Sequence, residues 1–118
     1  AYIADYETLP TSVEIIEDEI LLPDSYIQGN YPNPFNPSTK IKFYLSAESI
    51  GKIKFIKIFN ILGQLINVID ISSMNEGWHE ITVYGKNYYG EDLSAGVYIA
   101  SLEIGGEIRS SIKLLLVK

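Results

Sequence analysis

Tyr31-Pro32-Asn33-Pro34-Phe35-Asn36-Pro37-Ser38-Thr39 runs straight into Lys40-Ile41-Lys42-Phe43-Tyr44-Leu45, and the fold turns on that junction. Three of the first nine residues are proline, so φ is held at about −65° at each. The residues before them, Tyr31, Asn33 and Asn36, are pushed to extended conformations. Asn33, Asn36 and Ser38 can bond nearby backbone groups and supply turns where no ladder exists. Such a stretch loses little entropy on ordering. Phe35 is the one large apolar side chain between Pro34 and Pro37, which suits a plug in the end of an apolar core. Residues 39–45 then alternate as a strand does. Tyr31, Pro32, Asn33, Pro34, Phe35, Asn36 and Pro37 therefore read as a rigid structural ramp into a β-sheet, rather than a proline-rich linker.

Working outward, the signal stays β to the end of the chain. A second strand spans about Gly51 to Asn60, where Ile53 and Phe55 point one way and Ile56 and Ile58 the other, which suggests a bulge near Phe55-Ile56. A hairpin turn at Ser46–Gly51 would pair these first two strands. Gly63 closes a turn at Ile61–Gln64, and Leu65 to Ile71 is a third strand. Trp78 to Tyr84 alternates again. Gly85 to Gly96 is a long polar loop with Tyr88 and Tyr89. Val97 to Ile104 and Glu107 to Val117 flank a tight Gly105-Gly106 turn. Six strands at this spacing predict an antiparallel β-sandwich, because no connection is long enough for a crossover helix.

The 118 residues allow one domain, 24–118, and a short N-terminal arm or linker, 1–23. The chain has no cysteine, so disulfides and thiolate chemistry are out. No apolar run is long enough for a membrane-spanning helix. The start at Ala1, without a charged-then-apolar leader, suits a mature product or an excised fragment. The net charge of −6 is uneven. Asp5, Glu7, Glu14, Glu17, Asp18, Glu19 and Asp24 meet no Lys or Arg before residue 30. No basic stripe points to nucleic acid. Residues 11–22 fit a helix capped by Thr11 and Glu14, or a strand, and their β-branched content favours the strand. Val13, Ile15, Ile16, Ile20 and Leu22 are its candidate self-association residues.

Several matches point to one family: Tyr31 to Thr39 followed by Ile41, Phe43 and Leu45, then Ile58-Phe59-Asn60-Ile61-Leu62-Gly63-Gln64, Ser94-Ala95-Gly96-Val97-Tyr98, and the close at Ile112 to Lys118. Together they resemble the C-terminal sorting domains of type IX secretion substrates. Those domains are similar in turn to the immunoglobulin-like domain of the flagellar hook-capping protein. The resemblance covers residues 24–118 and departs at Tyr84-Gly85, where the family often has Trp-Asp. It implies an immunoglobulin-like, non-catalytic sandwich that directs or anchors exported proteins at a bacterial surface.

The residues themselves show no catalytic constellation. His79 is the one histidine, and its neighbour Glu80 falls on the opposite strand face, so no triad forms. No metal or cofactor is expected. Aromatic residues in loops raise sugar binding, and the consecutive Tyr88 and Tyr89 suit a contact surface. Lys40, Lys42, Lys52, Lys54 and Lys57 read as solvated strand faces that could also meet the acidic arm. The sequence reading is thus an exported, non-enzymatic module at the cell surface or outside the cell. It would associate with other copies of itself through its N-terminal strand, into filaments where the contact does not close. The alternative is the sorting and anchoring tail of a larger type IX cargo protein, with secretion or anchoring machinery as partner. A third reading is a carbohydrate-binding module.

Overall fold

A computed structural model describes residues 24–118. The residues assigned to self-association, Val13, Ile15, Ile16, Ile20 and Leu22, lie outside that span. The described residues form β1 (Tyr26–Tyr31), β2 (Ser38–Leu45), β3 (Lys54–Asn60), β4 (Leu65–Asp70), β5 (Gly77–Tyr84), β6 (Gly96–Ile104) and β7 (Glu107–Leu116). A single 3₁₀ turn, Ala47–Ser49, separates β2 from β3. Every strand pair is antiparallel. One sheet has the order β1-β2-β5 and the other β4-β3-β6-β7. The two sheets enclose one core and make an immunoglobulin-like sandwich.

The core follows from alternation. Ile41, Phe43 and Leu45 of β2 face Ile56 and Ile58 of β3, Ala100, Leu102 and Ile104 of β6, and Leu114 and Leu116 of β7, all buried. Full burial of each large aliphatic or aromatic side chain contributes about 1.5–3 kcal/mol. At the start of β6, the Tyr98 hydroxyl donates to the Ser94 carbonyl at 2.7 Å. This is the tyrosine corner that recurs in immunoglobulin-like sandwiches.

The structure corrects four expectations. First, the described residues hold seven strands, where six were expected in the domain. β1 was hidden because a register shift between Ile27 and Gly29 breaks its alternation, leaving Ile27 as its buried apolar residue. Second, β2 and β3 do not form a hairpin. β2 pairs with β1 and β5, and the 3₁₀ turn carries the chain across to the other sheet. Third, there is no bulge at Phe55-Ile56; Lys54, Ile56 and Ile58 alternate inward without interruption. The irregularity in β3 sits at Ile58/Phe59, against β4. Fourth, Lys54 is not on a solvated face. It is fully buried, and its ammonium donates to the carbonyls of Ser49 at 2.9 Å and Lys52 at 3.3 Å. These bonds replace the water it lost.

The proline-rich ramp passes from β1, in one sheet, to the end of β7 in the other. The Phe35 N–H donates to the Leu115 carbonyl at 2.9 Å, and the Phe35 carbonyl accepts from Val117 N–H at 3.0 Å. The two bonds make a one-residue parallel bridge to Leu116. The Asn33 side-chain oxygen accepts from Leu115 N–H at 3.2 Å, and Thr39 Oγ1 donates to the Pro32 carbonyl at 2.8 Å. The Phe35 ring is 3% exposed and belongs to the core.

Phe35→Ala should therefore destabilise the domain by about 3–5 kcal/mol, since prolines on both sides limit collapse into the void. Urea unfolding followed by tryptophan fluorescence checks this. A loss below about 1 kcal/mol would show that the ring adds little to the core.

Candidate interaction site

Two turns at one end of the sandwich share a sequence pattern and a hydrogen-bond pattern. Asn60-Ile61-Leu62-Gly63-Gln64 joins β3 to β4, and Asn87-Tyr88-Tyr89-Gly90-Glu91 lies in the β5–β6 connection. In the first, Asn60 Oδ1 accepts from the N–H groups of Leu62 and Gln64, each at 3.0 Å, and Asn60 Nδ2 donates to Gln64 Oε1 at 2.7 Å. In the second, Asn87 Oδ1 accepts from Tyr89 and Glu91 N–H at 2.9 Å, and Asn87 Nδ2 donates to Glu91 Oε1 at 2.7 Å. The backbone bonds correspond as well: Gly63 N–H to Asn60 O and Gly90 N–H to Asn87 O, both 3.0 Å. Both glycines have φ near +80°, at +81° and +82°, where a side chain would be strained. An asparagine is needed first because its short amide reaches its own following backbone.

These turns spend their hydrogen bonds inward and leave two large side chains outside. Ile61 and Leu62 are 75% and 79% exposed, and Tyr88 and Tyr89 are 70% and 84% exposed. The second turn docks on β4, because Tyr88 N–H donates to the Ile66 carbonyl at 3.0 Å. Grooves of about 620 and 490 Å³ lie beside the turns, the first lined by Leu65, Tyr88 and Tyr89, the second by Ile61, Leu62 and Leu93, and Ile66 borders both. The tyrosine rings meet edge to face, at 85° and 5.7 Å between centroids. They offer no common flat face of the kind on which a sugar ring stacks.

Of the ramp residues, only Phe35 is buried; Tyr31, Pro32, Asn33, Pro34, Asn36 and Pro37 are exposed. Gly85, at the departure from the family pattern, gives its N–H to the Pro37 carbonyl at 2.9 Å. A Cβ there would stand 3.1 Å from the Leu116 side chain. His79 is half-buried; its Nε2 lies 2.6 Å from the Asn75 carbonyl and its ring stacks on Phe43. Lys40 and Lys42 lie on the outer face of the three-stranded sheet, where Lys42 Nζ sits 5.1 Å from the Trp78 ring centre. Lys57 is on the other sheet, paired with Glu103.

Where the domain begins, Arg109 of β7 ties three segments together. Its Nη1 donates to Glu48 Oε1 at 2.8 Å and to Asp24 Oδ1 at 3.1 Å. Glu48 also accepts from Lys52 Nζ at 2.8 Å. The Arg109 bond, followed by that to Lys52, draws the Glu48 carboxyl down from its ordinary 4.5 to about 2.

The topology, the tyrosine corner and the closed core define the class: an immunoglobulin-like sandwich in which no helix among the described residues is long and apolar enough to cross a membrane. Residues 30–118 match the family described as the secretion system C-terminal sorting domain. The chain belongs to that family of type IX secretion domains. The family marks proteins delivered to the cell surface or the extracellular space. Among solved structures, the chain is similar to dimeric latent PorU from Porphyromonas gingivalis, with 18% identity and a TM-score of 0.66. The match covers 79% of this chain and 9% of that one, so this chain corresponds to a small part of PorU. No curated protein matches the chain.

A carboxyl with a lowered pKa stabilises the fold above its unfolded value and loses that contribution as pH falls through the folded one. The Glu48–Arg109 link should therefore weaken between about pH 4.5 and pH 2. Thermal midpoints measured across that window should fall more steeply for the wild type than for Arg109→Gln. Parallel curves would show that the link adds nothing to stability.

Proposed function

We propose that this chain is the C-terminal sorting and anchoring domain of a larger protein exported by a type IX system, and that it carries no catalysis itself. The family match over residues 30–118 carries this reading. The immediate partner is then the secretion or surface-anchoring machinery, and the exported activity belongs to the attached cargo. Residues 24–118 are the sorting sandwich and residues 1–23 the linker to it. The placement of His79 supports the non-catalytic part, since stacking on Phe43 and a bond to the Asn75 carbonyl give its ring a structural role. The main sequence reading, a subunit that associates with copies of itself into filaments, rested on residues 12–22; the family match supports the sorting alternative over it. The proposed ramp role of residues 31–37 is to fix the chain's entry into the sandwich.

The test is fusion of residues 1–118 to the C-terminus of a fluorescent reporter that carries an export leader, in a bacterium with a type IX system. The reporter should reach the medium or the cell surface. Removal of residues 107–118, which deletes β7 and breaks the core, should leave it in the periplasm. Retention of the full fusion in the periplasm would overturn the sorting reading, and so would equal export of the truncated one.

A further inference from the structure

We propose that the two matched turns, Asn60–Gln64 and Asn87–Glu91, form one docking surface for a folded protein of the export machinery whose contacting face is an uncharged, mainly apolar recess with hydrogen-bonding groups for the two tyrosine hydroxyls. The proposal rests on the sorting reading above. Several observations lead to it. The turns are built alike from the same pattern, an asparagine, two large apolar residues, a left-handed glycine and a Gln or Glu. Both are fixed by side-chain bonds that leave Ile61, Leu62, Tyr88 and Tyr89 in water. Rigid presentation lowers the ordering cost of binding, and tyrosine is among the residues that most often dominate interface energies.

Area and charge identify the occupant. With Leu65, which is 51% exposed between the turns, the set has five exposed apolar side chains. At about 200 Å² for a fully exposed residue, their exposed fractions leave on the order of 700 Å² open to contact. One partner in a standard protein–protein interface contributes roughly 800 Å², whereas scattered single apolar residues need no explanation. Asp92 is paired with Lys86 at 2.6 Å, Glu91 accepts from the Asn87 amide, and Asp70, at the far edge of the first groove, accepts from the Ser72 N–H. Nothing there calls for an acidic or basic partner. The most exposed side chains stand at the tips of turns, so the partner supplies the recess.

The reporter fusion tests this with two double variants, Ile61→Ser with Leu62→Ser, and Tyr88→Ser with Tyr89→Ser. Each should lower the exported fraction by about tenfold or more, while the purified chain unfolds at the wild-type midpoint. The control is Ile53→Ser with Ile108→Ser, both 63% exposed near the β6–β7 turn at the other end of the sandwich. It should leave export within about twofold. If a double variant fails to fold, single Leu62→Glu and Tyr89→Glu substitutions decide the question. Wild-type export with undiminished export of the turn variants would overturn the docking surface and leave the sorting reading intact. Retention of the wild-type fusion would overturn both. Light scattering that shows a dimer of the full chain, dissolved by the turn variants, would assign the surface to a second copy and overturn the proposal.

Discussion

The two hydrogen bonds made by the Phe35 backbone join the two sheets at one end of this sandwich. They reach β7 on either side of Leu116 while the ring enters the core. β1 belongs to one sheet and β7 to the other, so the ramp spans the seam between layers. Prolines suit the work because they need no ladder partner for an N–H they lack. The close approach also depends on Gly85, where hydrogen in place of a Cβ leaves room for the Leu116 methyl groups. Leu116 is thus packed from two sides by segments far apart in sequence.

Charge plays a different part at the opposite end. The crossing from β2 to β3 is held by polar atoms taken out of water: Ser49 Oγ on the Ser46 carbonyl, and the Lys54 ammonium on the carbonyls of Ser49 and Lys52. Arg109 ties the outside of that crossing to the start of β1. The Lys54 ammonium, taken out of water, is satisfied by the carbonyls of Ser49 and Lys52 and helps fix where they point; the Ser49 carbonyl also accepts from the Lys52 N–H at 3.1 Å.

Most strands were legible because their alternation is clean. β2 and β5 show it most plainly, with Trp78, Glu80, Thr82 and Tyr84 outward and His79, Ile81 and Val83 inward. Pairing was not legible, since alternation fixes which face is buried but not which strand lies alongside. β2 and β3 looked like a hairpin for that reason. β1 was hidden by its register shift, and Lys54 because a lysine is read as exposed. Tyr88 and Tyr89 stood out as a doublet in a polar loop. Their kinship with Ile61 and Leu62 was also written in the chain, as Asn-x-x-Gly followed by Gln or Glu. It becomes meaningful only once the bonds of Asn60 and Asn87 show that both turns are built the same way.

The route of β1 beside β7 has a mechanical consequence. Ile27 N–H bonds Ser110 Oγ near the start of both strands, and Phe35 bridges Leu116 at the far end, so the two segments run in the same direction. Tension between Asp24 and Lys118 therefore acts along the strands, at opposite ends of the sandwich. It loads the β1–β2 ladder and the Phe35 bridge in shear, where bonds share the force, instead of peeling them apart in turn. Rupture under load is a matter of unfolding rate rather than equilibrium stability. A domain joined in this way resists being pulled lengthwise better than its depth of core would suggest.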